Sequence, residues 1–242
     1  YNIKSCLWTP RGLDAIAQRI ADVDADVVAL QEVDRNMDRS GRVDQARELG
    51  SRLGYEAVYA PTVHGADFGS SQGEYGIALL SRLPVRAHEQ RLLYRPPGDE
   101  QRCILGCALE HPTGLLNVFC THFGLTAAQR LRQADAAVDF VTTWRPGAPV
   151  VLMGDFNAAP DDPEIATVRR ALVDLFHVRG ITGDARLTFP GGPPGSRTDD
   201  GWAGGIDYVF VSRHFDQAVI DVIREPVPAS DHAPVVVRTV TV

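Results

Sequence analysis

Apolar positions follow two rhythms along this chain. Short continuous runs of β-branched and aliphatic residues read as strands buried on both faces. The clearest are Val27-Val28-Ala29-Leu30-Gln31-Glu32 and Pro149-Val150-Val151-Leu152-Met153-Gly154-Asp155-Phe156-Asn157, and both stop in polar groups. Tyr1 to Leu7, Tyr55 to Tyr59, Glu74 to Arg82, Val85 to Leu93, Arg102 to Glu110, Leu115 to Thr121, Ile206 to Ser212, Ala218 to Ile223 and Val235 to Val240 complete the predicted strands. Pro112-Thr113-Gly114 supplies a turn between two of them. Helical spacing marks Gly12 to Val23, where Leu13, Ile16, Ala17 and Ile20 share a face, and also Asp44 to Leu53. It recurs over Ala127 to Val141, with Thr126 as the expected N-cap, and over Pro163 to Leu172, opened by its proline. Polar or Gly-rich stretches at 34–43, 60–74 and 180–205 read as loops.

Strands alternating with helices argue an α/β class. Many strands here follow one another directly, which favours two sheets packed face to face with helices outside over a doubly wound sheet. One domain spanning 1–242 is expected, with no internal repeat or low-complexity tract. The chain is 44% hydrophobic and 23% charged, enough for a sizeable core. No apolar run approaches the roughly 18 residues of a membrane span. The cytoplasm is the default expectation, although a leader removed ahead of Tyr1 is compatible with the sequence. Oligomeric state is not legible.

Net charge is −7 and there is no basic stripe, which disfavours tight gripping of duplex nucleic acid. Lys4 is the single lysine among 24 Lys and Arg. Cys6, Cys103, Cys107 and Cys120 sit in apolar surroundings without metal-ligand spacing and are expected to be buried free thiols. Arg35, Arg39 and Arg42 lie in the loop after Glu32, which reads equally as solvated or as facing an anion.

The chemistry gathers at strand boundaries: Asn2, Glu32, His122, Asp155 with Asn157, Asp207, and Asp231 with His232. An Asx turn explains Asp155 and Asn157 alone. Six boundaries carrying carboxylates, amides and imidazoles point instead to a site. Oxygen donors of this kind suit Mg²⁺, with Mn²⁺ as the alternative, better than zinc. Two histidines supply groups that titrate near neutral pH. Arg102 is a candidate phosphate clamp, with an exposed strand-edge arginine as the plain reading. His64, His88, His111, His177 and His214 read as solvated.

In order, Tyr1-Asn2-Ile3, Leu30-Gln31-Glu32-Val33, Tyr75-Gly76-Ile77-Ala78-Leu79-Leu80-Ser81-Arg82, Thr121-His122, Gly154-Asp155-Phe156-Asn157, Ile206-Asp207-Tyr208 and Ser230-Asp231-His232 resemble the endonuclease/exonuclease/phosphatase superfamily. The resemblance implies a four-layer α/β/β/α sandwich and metal-dependent hydrolysis of a phosphoester. It implies that Glu32 is the principal metal ligand, with Asn2 and Asp231 in the same metal region. By the same token Asp155 would orient or deprotonate water, the role of base being shared between Asp155 and His232, and Asn157 would bond a phosphoryl oxygen. Asp207 would orient His232, and His232 with His122 would steady the phosphate. Glu74, Tyr75 and Arg35 are further candidates for substrate contact. Ile77 departs from the family pattern, in which many relatives carry Asn. The expected partner is a small phosphoester, a lipid head group or, less favoured by charge, a nucleic acid. Two other readings stand beside this one: a catalytically idle binding protein on the same fold, and a zinc hydrolase.

Overall fold

The computed structural model describes residues 1–189, 204–224 and 228–239. After a single-turn 3-10 segment at Lys4–Cys6 come helix α1 (Gly12–Val23), strand β1 (Val27–Arg35), helix α2 (Gln45–Leu53), and strands β2 (Glu56–His64) and β3 (Glu74–Ser81). β3 lies between β1 and β2 in an antiparallel three-stranded sheet. Next come β4 (Val85–Leu92), β5 (Cys103–His111), β6 (Gly114–His122), α3 (Ala127–Thr143), β7 (Val150–Asp155), α4 (Pro163–Arg169), β8 (Val173–Asp174), α5 (Leu175–Val178) and β9 (Asp207–Val211). The second sheet runs in the order β4-β5-β6-β7-β9-β8, with β6 and β7 parallel. A hairpin of β10 (Val219–Val222) and β11 (Val235–Arg238) follows.

Alternation along each strand builds four layers. On the first sheet, Leu30, Ala78 and Leu80 face Ile16, Ile20 and Leu49 of α1 and α2. Their neighbours Ala29, Ile77 and Leu79 face inward, against Leu105, Cys107, Val118 and Cys120 of the second sheet. The outer face of the second sheet, with Ile104, Phe119, Leu152 and Phe210, packs on Ala134, Ala137 and Phe140 of α3. The α/β/β/α sandwich expected from the sequence is therefore the fold. Ile77 is consumed by the inter-sheet core, which explains why an apolar residue stands there. All four cysteines are buried and free, as expected.

Several elements differ from expectation. Tyr1 to Leu7 is not a strand: Asn2 makes one parallel bridge to Gln31, and the chain then turns through left-handed backbone at Lys4, Ser5 and Cys6. β1 does not stop at Glu32 but bulges there and continues to Arg35. β2 extends to His64, beyond the predicted Tyr59. Thr126 precedes α3 without a side-chain capping bond. The helix predicted to Leu172 ends at Arg169, and the short β8 and α5 after it had no periodic signal. Residues 190–203 of the long loop expected over 180–205 lie outside the described residues, as does Val240 of the last predicted strand.

Candidate active site

The strand registers assemble the polar set. His122 ends β6 directly beside Asp155 at the end of the parallel β7. Asp155 in turn lies opposite Asp207, the first residue of the antiparallel β9. One row across three adjacent strands thus carries an imidazole and two carboxylates at the same edge of the sheet. Gly154 permits this close pairing, because a Cβ there would stand 2.3 Å from the Thr121 carbonyl oxygen.

The first sheet contributes from across the gap. Glu32 sits in the β1 bulge with φ of +57°, a left-handed conformation that turns its side chain out of the regular alternation. Asn2, fully buried, links the two sheets: its Nδ2 donates to Glu32 Oε1 at 2.9 Å and to Asp155 Oδ2 at 3.1 Å. The segment before β11 closes the ring, with Ser230 Oγ donating to the Asn2 carbonyl at 2.8 Å and Asp231 and His232 following.

At the centre is Asp155. Its Oδ2 lies 3.5 Å from His122 Nε2 and 3.7 Å from His232 Nε2, and its Oδ1 accepts from the Asn157 amide at 2.9 Å. Burial, and then the nearby Asp207 charge, raise its pKa to about 6. Asp207 Oδ2 accepts from His232 Nδ1 at 2.9 Å. Burial alone would lower the His232 pKa, but Asp207 and then Asp155 outweigh it and raise it to about 9. Asp207, by the same pairing, is held below the usual carboxylate range despite its burial. His122 behaves oppositely. Burial, and then the Arg102 guanidinium, drive its pKa well below the ordinary value. Because Arg102 Nη1 can only donate, His122 Nδ1 must accept its 2.9 Å bond, which leaves the His122 proton on Nε2, facing Asp155.

Among the described residues, two places offer metal-ligating atoms at this site. Asp155, Asp207 and His232 bring one such atom each within 4.8 Å of the others. A protonated His232 whose Nδ1 is spent on Asp207 makes that trio a hydrogen-bonded carboxylate–imidazolium arrangement rather than a cation cage. Glu32 and Asp231 form the second place, an all-oxygen pair facing a cation already in the chain. The Lys4 ammonium is 3.1 Å from Asp231 Oδ2 and 3.9 Å from Glu32 Oε2. A positive charge so placed is a stand-in ion, and the donors around it are of the kind that hold a hard divalent cation.

The remaining candidates divide. Arg102 is not an exposed strand-edge residue but is 6% exposed, bonded to His122, paired with Glu100 at 2.6 Å and close enough to the Tyr75 phenol for each to shift the other's titration. Tyr75 is thereby tied to the site. Arg35 and Glu74 pair with each other and line a separate open cleft of about 420 Å³ with Arg42 and His64. Arg39 is exposed, and its guanidinium is spent within the chain, on the buried Asp34 carboxylate and on Ser5. Asn157 spends one amide hydrogen on the Phe123 carbonyl at 3.0 Å. Sequence reasoning missed Lys4, whose signal was its being the chain's single lysine, and the bond from Arg102 to His122.

Comparison with known proteins agrees with this architecture. The model of the Endonuclease/Exonuclease/phosphatase family matches residues 1–232. The uncharacterised protein YbhP of Escherichia coli is 31% identical over 160 residues, 60% of this chain and 58% of that one, so the match spans less than two thirds of that relative. The human Nocturnin catalytic domain, solved with a bound sulfate anion, superposes with a TM-score of 0.71 at 19% identity, covering 98% of this chain and 92% of its own. A mannosyl-6-phosphatase from Bacteroides thetaiotaomicron gives 0.69 at 19% identity, covering 95% and 90%.

Proposed function

The chain belongs to the endonuclease/exonuclease/phosphatase family, and from that premise we propose that it hydrolyses a phosphoester by in-line attack of water, with a divalent cation, Mg²⁺ or Mn²⁺, as cofactor. The observation that carries the reading is the Asp155 carboxylate held between two imidazole Nε2 atoms at 3.5 and 3.7 Å, one imidazole kept neutral and the other cationic. Paired groups whose environments push their pKa values apart are suited to divided acid and base work.

In this reading Asp155 takes the proton of the attacking water, its raised pKa making it a better base than an ordinary carboxylate. His232 donates from Nε2 to the phosphoryl oxygens as their charge grows, while Asp207 holds its ring and its proton. His122 donates from its own Nε2 to the same group, its orientation fixed by Arg102. Asn157 is a further donor, through the amide hydrogen left over from its bond to Phe123. Glu32, Asp231 and Asn2 are the residues that would hold the cation, which supplies Lewis-acid polarisation of the phosphoryl group when bound. The acidic balance of the chain favours a small phosphoester or a lipid head group over duplex nucleic acid.

The test is a panel of phosphomonoesters, phosphodiesters, sphingomyelin and plasmid, assayed with Mg²⁺ or Mn²⁺ and with EDTA. Turnover of at least one compound that needs the cation is expected, and Asp155→Asn should lower it by about a thousandfold. Absence of cation-dependent turnover across the whole panel would remove the proposal.

A further inference from the structure

We propose that Glu100 is a positioning residue of the site: its carboxylate holds the Arg102 guanidinium on His122 Nδ1 and keeps it from turning to Asp155. The inference rests on the reading above that His122 donates from Nε2 to a phosphoryl group while Asp155 works on water.

The contacts follow one another toward the base. Glu100 Oε1 pairs with Arg102 Nη1 at 2.6 Å, and the same Nη1 donates to His122 Nδ1 at 2.9 Å. His122 Nε2 then lies 3.5 Å from Asp155 Oδ2. One nitrogen of the guanidinium is therefore shared between a carboxylate and the imidazole it orients. The contact with Glu100 is ionic, since Glu100 Oε1 is buried and accepts no aligned hydrogen bond. What acts on Arg102 is thus the charge of Glu100.

Burial makes that charge necessary. The Arg102 side chain is 7% exposed, and a guanidinium taken so far out of water is costly unless an anion meets it. Its neighbours His122 and Tyr75 are neutral, the imidazole kept unprotonated and the phenol protonated by burial above all. Among the described residues, Glu100 is the carboxylate in ion-pair contact with Arg102, and Asp155 is the next whose charge acts on it. With Glu100 gone, the guanidinium would be drawn to Asp155, the group the proposed chemistry needs free. The dependence is mutual. Burial raises the Glu100 pKa, and Arg102 is the foremost influence that lowers it.

The chain delivers Glu100 from a braced loop. Residues 93–102 connect β4 to β5, and the Leu93 amide closes their base by donating to the Arg102 carbonyl at 2.9 Å. Gln101 Nε2 donates to the Leu93 and Arg102 carbonyls at 2.8 Å each. Ahead of Glu100, the Asp99 amide returns to the Pro96 carbonyl at 3.2 Å, and Pro96 and Pro97 restrict the backbone. Glu100 and Arg102 stand two residues apart, the spacing that puts side chains on one side of an extended chain.

The test compares nitrogen-15 spectra of His122, recorded without substrate, in wild type, Glu100→Ala, Glu100→Gln and Arg102→Met, with folding checked by circular dichroism. Whichever compound of the panel above is turned over reads kcat and KM, also in the Glu100→Ala/Arg102→Met double variant. Wild type should hold one tautomer, with the proton on Nε2. Glu100→Ala should show a mixture, and Glu100→Gln, which keeps a dipole but no charge, should lie between the two. In Glu100→Ala, kcat should fall about tenfold while KM stays within about threefold. The double variant should match Arg102→Met alone within about twofold, because Glu100 acts through Arg102. A single tautomer retained in Glu100→Ala, or losses that multiply in the double variant, would overturn this inference and leave the proposed hydrolase intact. A wild type that turns over no compound of the panel would remove the hydrolase reading, and this positioning role with it.

Discussion

Arg102 and His122 meet at 2.9 Å, two groups that would repel if both were charged. Their contact is stable because burial and the guanidinium together keep the imidazole neutral. Arg102→Met should therefore free Nδ1, and nitrogen-15 spectra of His122 should change from one fixed tautomer to a mixture. Activity should fall roughly tenfold to a hundredfold, as is usual when a partner that orients a functional side chain is removed, with partial recovery in Arg102→Lys. An unchanged spectrum would show that Arg102 does not set the tautomer. His232 makes the opposite case. Its pKa lies above that of a free imidazole, so its proton is bound throughout the neutral range and lost only as pH rises through about 9. The alkaline limb of kcat/KM should report that loss. Asp207→Asn removes the group that most raises the value, and the limb should move by about one unit or more toward lower pH. A limb that stays in place would mean that another group sets it.

At the scale of elements, the register that aligns His122, Asp155 and Asp207 depends on Gly154 lying against the Thr121 backbone. Gly154→Ala would drive a methyl group into a carbonyl that belongs to the adjacent strand and cannot step aside. A loss of about 2 kcal/mol or more in stability is expected, read as a lower denaturation midpoint, together with reduced activity. Wild-type stability would mean that the two strands can separate locally without cost. This row was legible in the sequence because each of its members lies at one end of an apolar run, His122 and Asp155 at the close and Asp207 at the start, and strand ends are what hydrophobic patterning locates. Glu32 does lie beside this row, but not as the strand end that the apolar run suggested. It occupies a bulge inside β1, and no alternation of apolar residues announces a left-handed residue held by a distant Asn2. The short β8 and α5 were illegible because two and four residues cannot display a period. Lys4 and the bond from Arg102 to His122 escaped for a different reason. Their roles come from ion pairs and hydrogen bonds between segments far apart in the chain, which composition and spacing do not encode.

Considered as a whole, the molecule splits its site between layers that its core holds apart. Glu32 belongs to the first sheet, Asp155 and Asp207 to the second, and Asp231 to the segment before β11, with Asn2 bonded to Glu32 and Asp155 at once. A cation held by Glu32 and Asp231 would tie the first sheet to that closing segment, and so would resist separation of the layers rather than the melting of one loop. Binding to the folded state alone stabilises it by about 2.7 kcal/mol at a hundred times the dissociation constant. For a chain of this size that corresponds to a rise of very roughly 5–10 °C in the melting temperature. Saturating Mg²⁺ should therefore raise the midpoint of wild type, and EDTA should reverse the rise. Glu32→Gln keeps the shape and an acceptor oxygen for Asn2 Nδ2 but removes the charge, so its metal-free midpoint should stay near that of wild type while the Mg²⁺ shift is largely lost. Hydrogen exchange adds the spatial test, since protection should increase in β1 and in the segment around Asp231 together. A full Mg²⁺ shift retained in Glu32→Gln would remove that carboxylate from the cation's ligands and move the site toward Asp155, Asp207 and His232.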